Sequence, residues 1–148
     1  MKVSTRGRYA LRVMVDLAEH WEGTLIPMKD IAARQHISLK YIERILPPLT
    51  RAGLIKGVHG KGGGYQLTRE PEEYTALEIL ELTEGDIAPV ACLKKNAPLC
   101  EREDICRTKK FWTGMHNVLL EYFGSVTLRD MMEEPEHIDN LTGKKSLC

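Results

Sequence analysis

The sequence predicts a mainly α-helical protein with a small β-hairpin wing, arranged as a winged helix-turn-helix domain followed by a long C-terminal dimerisation helix. Apolar residues recur at helical spacing in the first third, a glycine-rich pair of strand-like segments follows, and the longest helical pattern lies near the C-terminus. We expect four regions. They are the winged helix-turn-helix at 1–70, a connector helix and cysteine loop at 71–106, the dimerisation helix and a short following helix at 107–132, and a flexible tail at 133–148.

The first two helices are indicated by apolar spacing and by a proline. From Arg8 to Trp21 the apolar residues fall at i, i+3, i+4 and i+7, which predicts an amphipathic helix that ends before Gly23. The fixed φ of Pro27 suits a first helical turn, so a short second helix is expected to continue to about Gln35. This second helix would be the first of the helix-turn-helix pair.

The third helix is expected to begin at Ser38, a residue type suited to an N-cap. Its apolar stripe consists of Leu39, Ile42, Leu46 and Leu49. Pro47 and Pro48 conflict with this pattern, because an interior proline removes a hydrogen bond and clashes with the preceding turn. We therefore expect a kink or an irregular final turn there, with Gly53 ending the element.

A β-hairpin is predicted next, because strand-like segments at 54–59 and 65–68 are joined by a glycine-rich turn. The turn is not a phosphate-binding P-loop, since Ile55 and Gly62 occupy the places that need glycine and Ser or Thr. Three helices followed by a hairpin predict that the helix beginning at Ser38 lies in the DNA major groove. An ordinary hairpin turn is the alternative.

Polar residues of the third helix and the wing are the candidates for DNA contact. They are Ser38, Lys40, Tyr41, Glu43, Arg44, Lys61 and Gly62. Lysine and arginine suit phosphate or guanine, glutamate can accept from a cytosine amino group, and glycine allows close backbone approach. Charge agrees with this assignment: residues 1–69 hold 12 Lys and Arg against 5 Asp and Glu, while 70–148 hold 9 against 16. A solvated helix face is the alternative.

Three further helices are expected in the second half. Thr75 and Glu78 fit a capping box for a connector helix that ends at Gly85. A long helix is predicted from Arg107 to Phe123, and a short one from Thr127 to Met132. The long helix carries a wide apolar arc made of Phe111, Trp112, Met115, Val118, Leu119, Tyr122 and Phe123. Such an arc predicts packing on a second copy of the chain, with burial inside its own monomer as the alternative.

Cys92, Cys100 and Cys106 lie in a polar, turn-forming loop, where their sulfur atoms are available for chemistry. Structural zinc is disfavoured, because paired Cys-x-x-Cys units are absent and the loop has no fourth Cys or His. Three thiolates with a different fourth group can hold an iron–sulfur cluster, and two thiols can form a reversible disulfide. Zinc and three chemically unused thiols remain as further alternatives.

Composition and motifs argue against a membrane protein and against an enzyme. No apolar run approaches the roughly 18 residues of a membrane span, and the N-terminus does not resemble a signal peptide. We expect a cytoplasmic protein with no membrane partner, in a compartment that keeps thiols reduced. The sequence lacks Cys-x-x-Cys, a His-Glu-x-x-His helix and an identifiable Ser, His and Asp set, so no enzymatic activity is expected.

Four motifs together resemble one family of regulators. Lys2–Leu11, Ile37–Glu43, the wing Gly60–Tyr65 and the three cysteines resemble the family that contains the iron–sulfur cluster regulator IscR, the nitric-oxide sensor NsrR and the cysteine-metabolism regulator CymR. The likeness is greatest to the IscR branch. It implies a homodimeric bacterial transcription regulator, acting as a repressor and redox sensor on a double-stranded DNA operator. It also implies one 2Fe–2S cluster per subunit, held by Cys92, Cys100 and Cys106.

The resemblance also bears on single residues. It implies that Glu43 takes part in operator choice and that His59, at the base of the wing, contacts DNA. The loop departs from the IscR branch, because its first gap is longer and the branch's histidine ligand falls on Lys109, a poor ligand. The acid that the NsrR branch uses falls on Arg8, which cannot ligate. The candidates for a fourth ligand are Asp104, Glu101, Glu103, His116, Cys148 and solvent.

Overall fold

The structure is a computed structural model that describes residues 3–20 and 22–133 of the 148-residue chain. They form six α-helices and one two-stranded antiparallel hairpin. In chain order the elements are α1 (Thr5–Glu19), α2 (Met28–Gln35), α3 (Leu39–Arg51), β1 (Ile55–Val58), β2 (Gly64–Leu67), α4 (Ala76–Glu84), α5 (Lys109–Ser125) and α6 (Leu128–Met132). Short 3-10 turns occupy Pro71–Glu73, Ala91–Leu93 and Glu103–Ile105. The predicted tail beyond Glu133, with Cys148, lies outside the described residues.

Helix α1 is the centre of the core and contacts α2, α3, α4, α6 and β2. It begins earlier than predicted, because Ser4 caps it by accepting a hydrogen bond from the Gly7 N–H at 3.2 Å. Its buried face carries Ala10, Val13, Met14, Leu17 and Ala18. The same core includes apolar residues from α2, α3, both strands, α4 and α6, so both halves of the chain share it.

Helix α3 departs from two expectations. It continues through Pro47 and Pro48 to Arg51, so the alternative of an irregular final turn is wrong, while a kink at the prolines stays a prediction. The apolar stripe is also displaced: Leu39 is 46% exposed, whereas Ile45 is only 1% exposed and belongs to the core. The stripe is therefore centred on Ile42, Ile45, Leu46 and Leu49, a pattern that keeps the prolines at its margin.

The wing is an antiparallel hairpin in which Ile55 pairs with Leu67 and Val58 with Gly64. A short bridge fixes it to the segment before α2, because Ile26 and Tyr65 exchange N–H to carbonyl hydrogen bonds of 2.8 Å each. A Cβ on Gly64 would lie only 2.5 Å from the Ile26 carbonyl oxygen. Glycine is therefore needed there for the wing to lie against this segment.

The connector helix α4 has half of the predicted capping box. The Thr75 side chain accepts from the Glu78 N–H at 3.2 Å, as expected. The Glu78 carboxylate does not return a hydrogen bond to the cap; it instead accepts two hydrogen bonds from Arg69, each 2.8 Å long. Gly85 ends the helix with φ +78°. A full capping box occurs at α6, between Thr127 and Asp130.

Helix α5 has no buried residue, although it is the longest helix in the described part of the chain. Phe111 and Val118 are 65% and 64% exposed, and Met115 is also exposed. Trp112, Leu119 and Tyr122 are half-buried. The alternative that this helix is buried within its own monomer is therefore wrong. None of the helices in residues 3–20 and 22–133 is both long and apolar enough to cross a membrane.

Candidate nucleic-acid interface and thiol cavity

The turn between α2 and α3 is short and is fixed from both sides. His36 adopts a left-handed conformation at φ +52°, and its N–H donates to the carbonyl oxygens that end α2. Next to the turn, the buried Asp16 of α1 accepts hydrogen bonds from Arg34 at 2.7 and 3.0 Å and from Gln35 at 3.0 Å. This contact joins α2 to α1 and so sets where α3 begins.

The outward face of α3 carries the predicted DNA-contacting side chains. Ser38, Lys40, Glu43 and Arg44 are exposed, and Ser38 makes no capping hydrogen bond with its side chain. Tyr41 is half-buried and packs edge-on against Tyr9, with 5.2 Å between ring centroids. The structure thus leaves four of these five side chains open to a partner, while Tyr41 helps to hold α3 against α1.

The wing presents the remaining candidates. His59, Lys61 and Gly62 are exposed at the turn between β1 and β2. Gly60 and Gly62 have φ values of +100° and +77°, which favour glycine. Within the described residues, Lys40, Arg44 and Lys61 form no ion pair. Three unpaired cations on an exposed helix and turn are suited to phosphate contacts.

The structure brings the three cysteines around one cavity of about 150 Å³. Cys92 lies in the Ala91–Leu93 turn, Cys100 precedes the Glu103–Ile105 turn, and Cys106 precedes α5. Their thiols are free, with Cys92 and Cys100 exposed and Cys106 half-buried. Residues far apart along a polar loop therefore face a common space, which we call the thiol cavity. It is lined by Cys92, Leu93, Lys94, Ala97, Pro98, Leu99, Cys100, Glu103, Cys106, Lys109 and Trp112.

Cys106 has the clearest local activation. A hydrogen bond with the Thr108 hydroxyl, 3.5 Å from the sulfur, lowers the pKa of this thiol. Backbone N–H groups of Thr108 and Lys109 and the charge of Arg102 act in the same direction. The N-terminus of α5 thus favours the thiolate, the form that binds metals and attacks disulfides.

The fourth-ligand candidates separate by position. Glu103 lines the thiol cavity, where its carboxylate forms an ion pair with Lys109, while Glu101, Asp104 and His116 do not line it. The hydrogen bond to Glu103 is the main reason that the pKa of Lys109 is raised. Across the residues for which coordinates are described, no three Cys, His, Asp or Glu side chains converge closely enough to hold a metal ion. Binding of a metal ion at the thiol cavity would therefore require the cysteine side chains to move closer together.

Contacts that sequence reasoning missed connect the loop to the helices. The Asp86 carboxylate accepts from the Ala88 N–H at 2.8 Å and from the Lys95 N–H at 2.6 Å. These two hydrogen bonds lower the pKa of Asp86. A signal existed, because an Asp directly after a helix-ending Gly favours such turns. The partner at Lys95, however, could not be read from the sequence.

The far end of α4 also contacts the start of α1. The Glu84 carboxylate accepts from the Ser4 N–H at 3.3 Å and from the Ser4 hydroxyl. The Arg6 guanidinium donates to the Thr83 carbonyl oxygen, with the Nε to O distance 3.0 Å. The end of α4, together with the Asp86 that follows it, therefore lies between α1 and the loop at 92–106 that carries the three cysteines, which we call the thiol loop.

Comparison with known proteins places the chain among transcription regulators. The chain matches the Rrf2 family, described as an iron-dependent transcriptional regulator, over residues 3–134. Protein rrf2 of Nitratidesulfovibrio vulgaris is 36% identical over 134 residues, covering 90% of this chain and 89% of that protein. The transcriptional regulator CymR of Bacillus subtilis is 37% identical over 132 residues, covering 88% and 89%.

Two solved structures show the same fold. The structure of B. subtilis CymR, described as the global cysteine regulator, has a TM-score of 0.76 at 34% identity, covering 89% of this chain and 96% of that one. T. potens IscR has a TM-score of 0.70 at 31% identity, covering 100% and 94%. The predicted winged helix-turn-helix fold is confirmed, and so is the absence of an enzyme assignment, since these relatives are regulators. The chain belongs to the Rrf2 family of transcription regulators.

Proposed function

We propose that two copies of this chain form a dimer that binds double-stranded operator DNA with an affinity that depends on a 2Fe–2S cluster in each subunit. Cys92, Cys100 and Cys106 would hold the cluster. The observation that carries the proposal is that all three thiols line the same cavity. Thiolates are the usual ligands of such clusters, and a cluster, when bound, supplies a centre sensitive to oxidants and to iron supply.

The DNA-binding part rests on exposed groups of α3 and the wing. Lys40, Arg44 and Lys61 would contact phosphates or guanine, and Glu43 would accept from a cytosine amino group. Ser38, Tyr41, His59 and Gly62 complete the proposed surface. Binding to operator DNA as a repressor would occur in the cytoplasm, where thiols stay reduced.

The dimer rests on the unburied apolar face of α5. Phe111, Met115 and Val118 are exposed, and Trp112, Leu119 and Tyr122 are only half-buried. An apolar face of this extent is costly to leave in water, and a second α5 is self-complementary to it. The two copies of α3, the proposed recognition helices that enter the major groove, would then be presented together, as palindromic operators require.

Coupling between the cavity and DNA follows from the position of α4. Asp86, which follows the C-cap Gly85, accepts a hydrogen bond from Lys95 of the thiol loop, and the last residue of α4, Glu84, contacts α1 through its N-cap Ser4. Contraction of the loop around the cavity would pull on the end of α4. The spacing of the two recognition helices, which must match the half-sites, would change as a result.

Anaerobic purification tests the proposal. We expect a brown protein with visible absorption, about two iron atoms per chain and operator binding that changes when the cluster is removed. Single replacements of Cys92, Cys100 and Cys106 by Ala should each abolish the colour. A colourless protein with one zinc ion per chain would overturn the cluster assignment.

A cluster-free thiol sensor is the second candidate. It is favoured by the exposure of Cys92 and Cys100, by the absence of converged metal donors among residues 3–20 and 22–133, and by the likeness to CymR. Operator binding by iron-free protein should then respond to a mild oxidant, and the response should disappear in single Cys→Ala variants. An iron-free protein that ignores oxidant would exclude this candidate.

A further inference from the structure

We infer that Glu103 is the fourth protein ligand of the cluster and that Lys109 positions its carboxylate at the thiol cavity. This inference rests on the proposed cluster function and narrows its open fourth position to one side chain. A carboxylate oxygen is a chemically acceptable iron ligand beside three thiolates.

The position of Glu103 is set by the backbone of the loop. Its N–H donates to the Cys100 carbonyl oxygen at 2.9 Å, at the start of the 3-10 turn that leads to Cys106. Glu103 is therefore connected to two of the three cysteines by a short, hydrogen-bonded segment. A contraction that draws these thiols together would carry the carboxylate with them.

The other candidates are placed less well. Glu101 and Asp104 belong to the same segment and are exposed, but neither lines the thiol cavity. His116 lies on α5 and does not line it either. Among these described candidates, Glu103 alone shares the cavity with the thiols.

Lys109 lies in the first turn of α5 and lines the same cavity. It forms an ion pair with Glu103. An ammonium group has no lone pair and cannot ligate iron. It can, however, hold a carboxylate at the edge of the cavity and offset the negative charge of several anionic donors gathered in one place.

The ligand assignment is tested on reconstituted full-length protein. Wild type, Glu103→Gln, Glu101→Gln and Asp104→Asn would be compared by visible absorption, by electron paramagnetic resonance of the reduced cluster, and by the rate of iron loss to a chelator. We expect Glu103→Gln alone to shift the resonance and to lose iron at least about tenfold faster, since even outer contacts of a metal site alter affinity by that factor. Circular dichroism of the iron-free proteins controls for folding.

The positioning role of Lys109 is tested by the rate at which the protein takes up iron. Lys109→Gln should keep the wild-type resonance, because the ligands are unchanged, but should load iron more slowly, and Lys109→Arg should restore the loading rate. An altered resonance in Lys109→Gln would contradict this role.

Three results would contradict the inference: Glu103→Gln matches wild type in resonance and in iron loss, or the shift appears instead in His116→Ala, or it appears in Cys148→Ala. Any of these overturns the Glu103 assignment and leaves the cluster in place. A wild-type protein that takes up no cluster overturns the proposed function itself, and the two failures are thereby distinguished.

Discussion

The Asp86 carboxylate accepts a hydrogen bond of 2.6 Å from the backbone N–H of Lys95, across nine positions of the chain. This contact holds the first part of the thiol loop against the segment that directly follows α4. It depends on a charged carboxylate, because the acceptor strength of an ionised oxygen is about twice that of a neutral one.

Asp86→Ala should therefore loosen the loop. We expect faster alkylation of Cys92 and a smaller difference in operator affinity between the protein with and without the cluster, with the global fold retained. Mass spectrometry after iodoacetamide treatment and operator titration measure the two effects. Glu81→Gln is the matched control, since it removes only the exposed ion pair with the Lys95 side chain. Equal alkylation rates in both variants would show that Asp86 does not hold the loop.

The same contact has a pH dependence. Hydrogen bonds from the Lys95 and Ala88 N–H groups lower the pKa of Asp86. The contact is thus fully present above the ordinary aspartate pKa and is lost as the pH falls through the lowered value. Exchange of the Lys95 N–H with solvent deuterium, corrected for the intrinsic pH dependence of amide exchange, should lose its protection only in that acid range, and Asp86→Ala should show no such step.

The thiol of Cys106 should ionise below the usual range for cysteine. The Thr108 hydroxyl is the main cause of the lowered pKa, followed by backbone N–H groups. In a variant with Cys92, Cys100 and Cys148 replaced by Ala, the alkylation rate of Cys106 as a function of pH reports this pKa directly. Thr108→Val should move the midpoint upward, while Thr113→Val on α5 should not. An unchanged midpoint in Thr108→Val would remove the hydroxyl from the explanation.

Asp16 should be important for stability, because its buried carboxylate joins α1 to α2 through Arg34 and Gln35. Replacement by Ala leaves those donors without their acceptor, and we expect the free energy of unfolding to fall by on the order of 1–3 kcal/mol. Urea unfolding measures it. Glu19→Gln, an exposed change on the same helix, should have an effect within about 0.5 kcal/mol. Similar values for the two variants would contradict the role of burial.

Gly64 should not tolerate a side chain. A Cβ there would meet the Ile26 carbonyl, so Gly64→Ala should displace the wing, lower the melting temperature and weaken operator binding. In Gly124→Ala the nearest neighbour of the new Cβ is a Leu77 methyl at 3.7 Å, and an alanine in a helix gains up to about 1 kcal/mol over glycine. The melting temperature should fall in Gly64→Ala and rise in Gly124→Ala. A tolerated Gly64→Ala would mean that the wing is not fixed to the Ile26 segment.

Charge removal should distinguish phosphate contact from base reading. Lys61→Ala is expected to weaken binding to all sequences and to reduce its salt dependence, whereas Glu43→Ala should relax the preference at one base pair. Lys110→Ala, on α5, is the control and should change neither. Fluorescence anisotropy with operator and scrambled duplexes provides the measurement. A Lys61→Ala variant that keeps the wild-type salt slope would exclude the wing from phosphate contact.

Local sequence signals predicted the elements well, since caps, breakers and apolar spacing act over a few residues. Thr75, Gly85 and the strand pair were found where expected. Tertiary choices were not predictable in the same way. The Glu78 carboxylate was expected to accept a hydrogen bond from the Thr75 N–H. It binds Arg69 instead, nine residues away, because the guanidinium donates two charged hydrogen bonds to it. Whether Ile45 or Leu39 is buried depends on which side of α3 packs against α1, and this is a tertiary contact.

The thiol cavity illustrates the same limit. The sequence identified the three cysteines as a set, because their loop is polar and short. It left six candidates for the remaining position, because the sequence does not show which of Glu101, Glu103 and Asp104 lines the cavity. That placement is a property of the folded loop. Asp16 was likewise missed, although a charged residue among the apolar residues of α1 is a usable signal.

The shared core has a consequence for how this protein can be divided. Ile79 of α4 and Leu128 of α6 are fully buried in the same cluster as Met14 and Ile42. The Tyr74 hydroxyl also donates to the Leu54 carbonyl oxygen at 2.7 Å, joining the base of the wing to the connector. A fragment cut at residue 70 would expose the faces that α4 and α6 cover. The winged helix-turn-helix, α4 and α6 are thus expected to unfold as one unit, so that a cavity opened at Ile79 or Leu128 would lower the stability of the DNA-binding half as well.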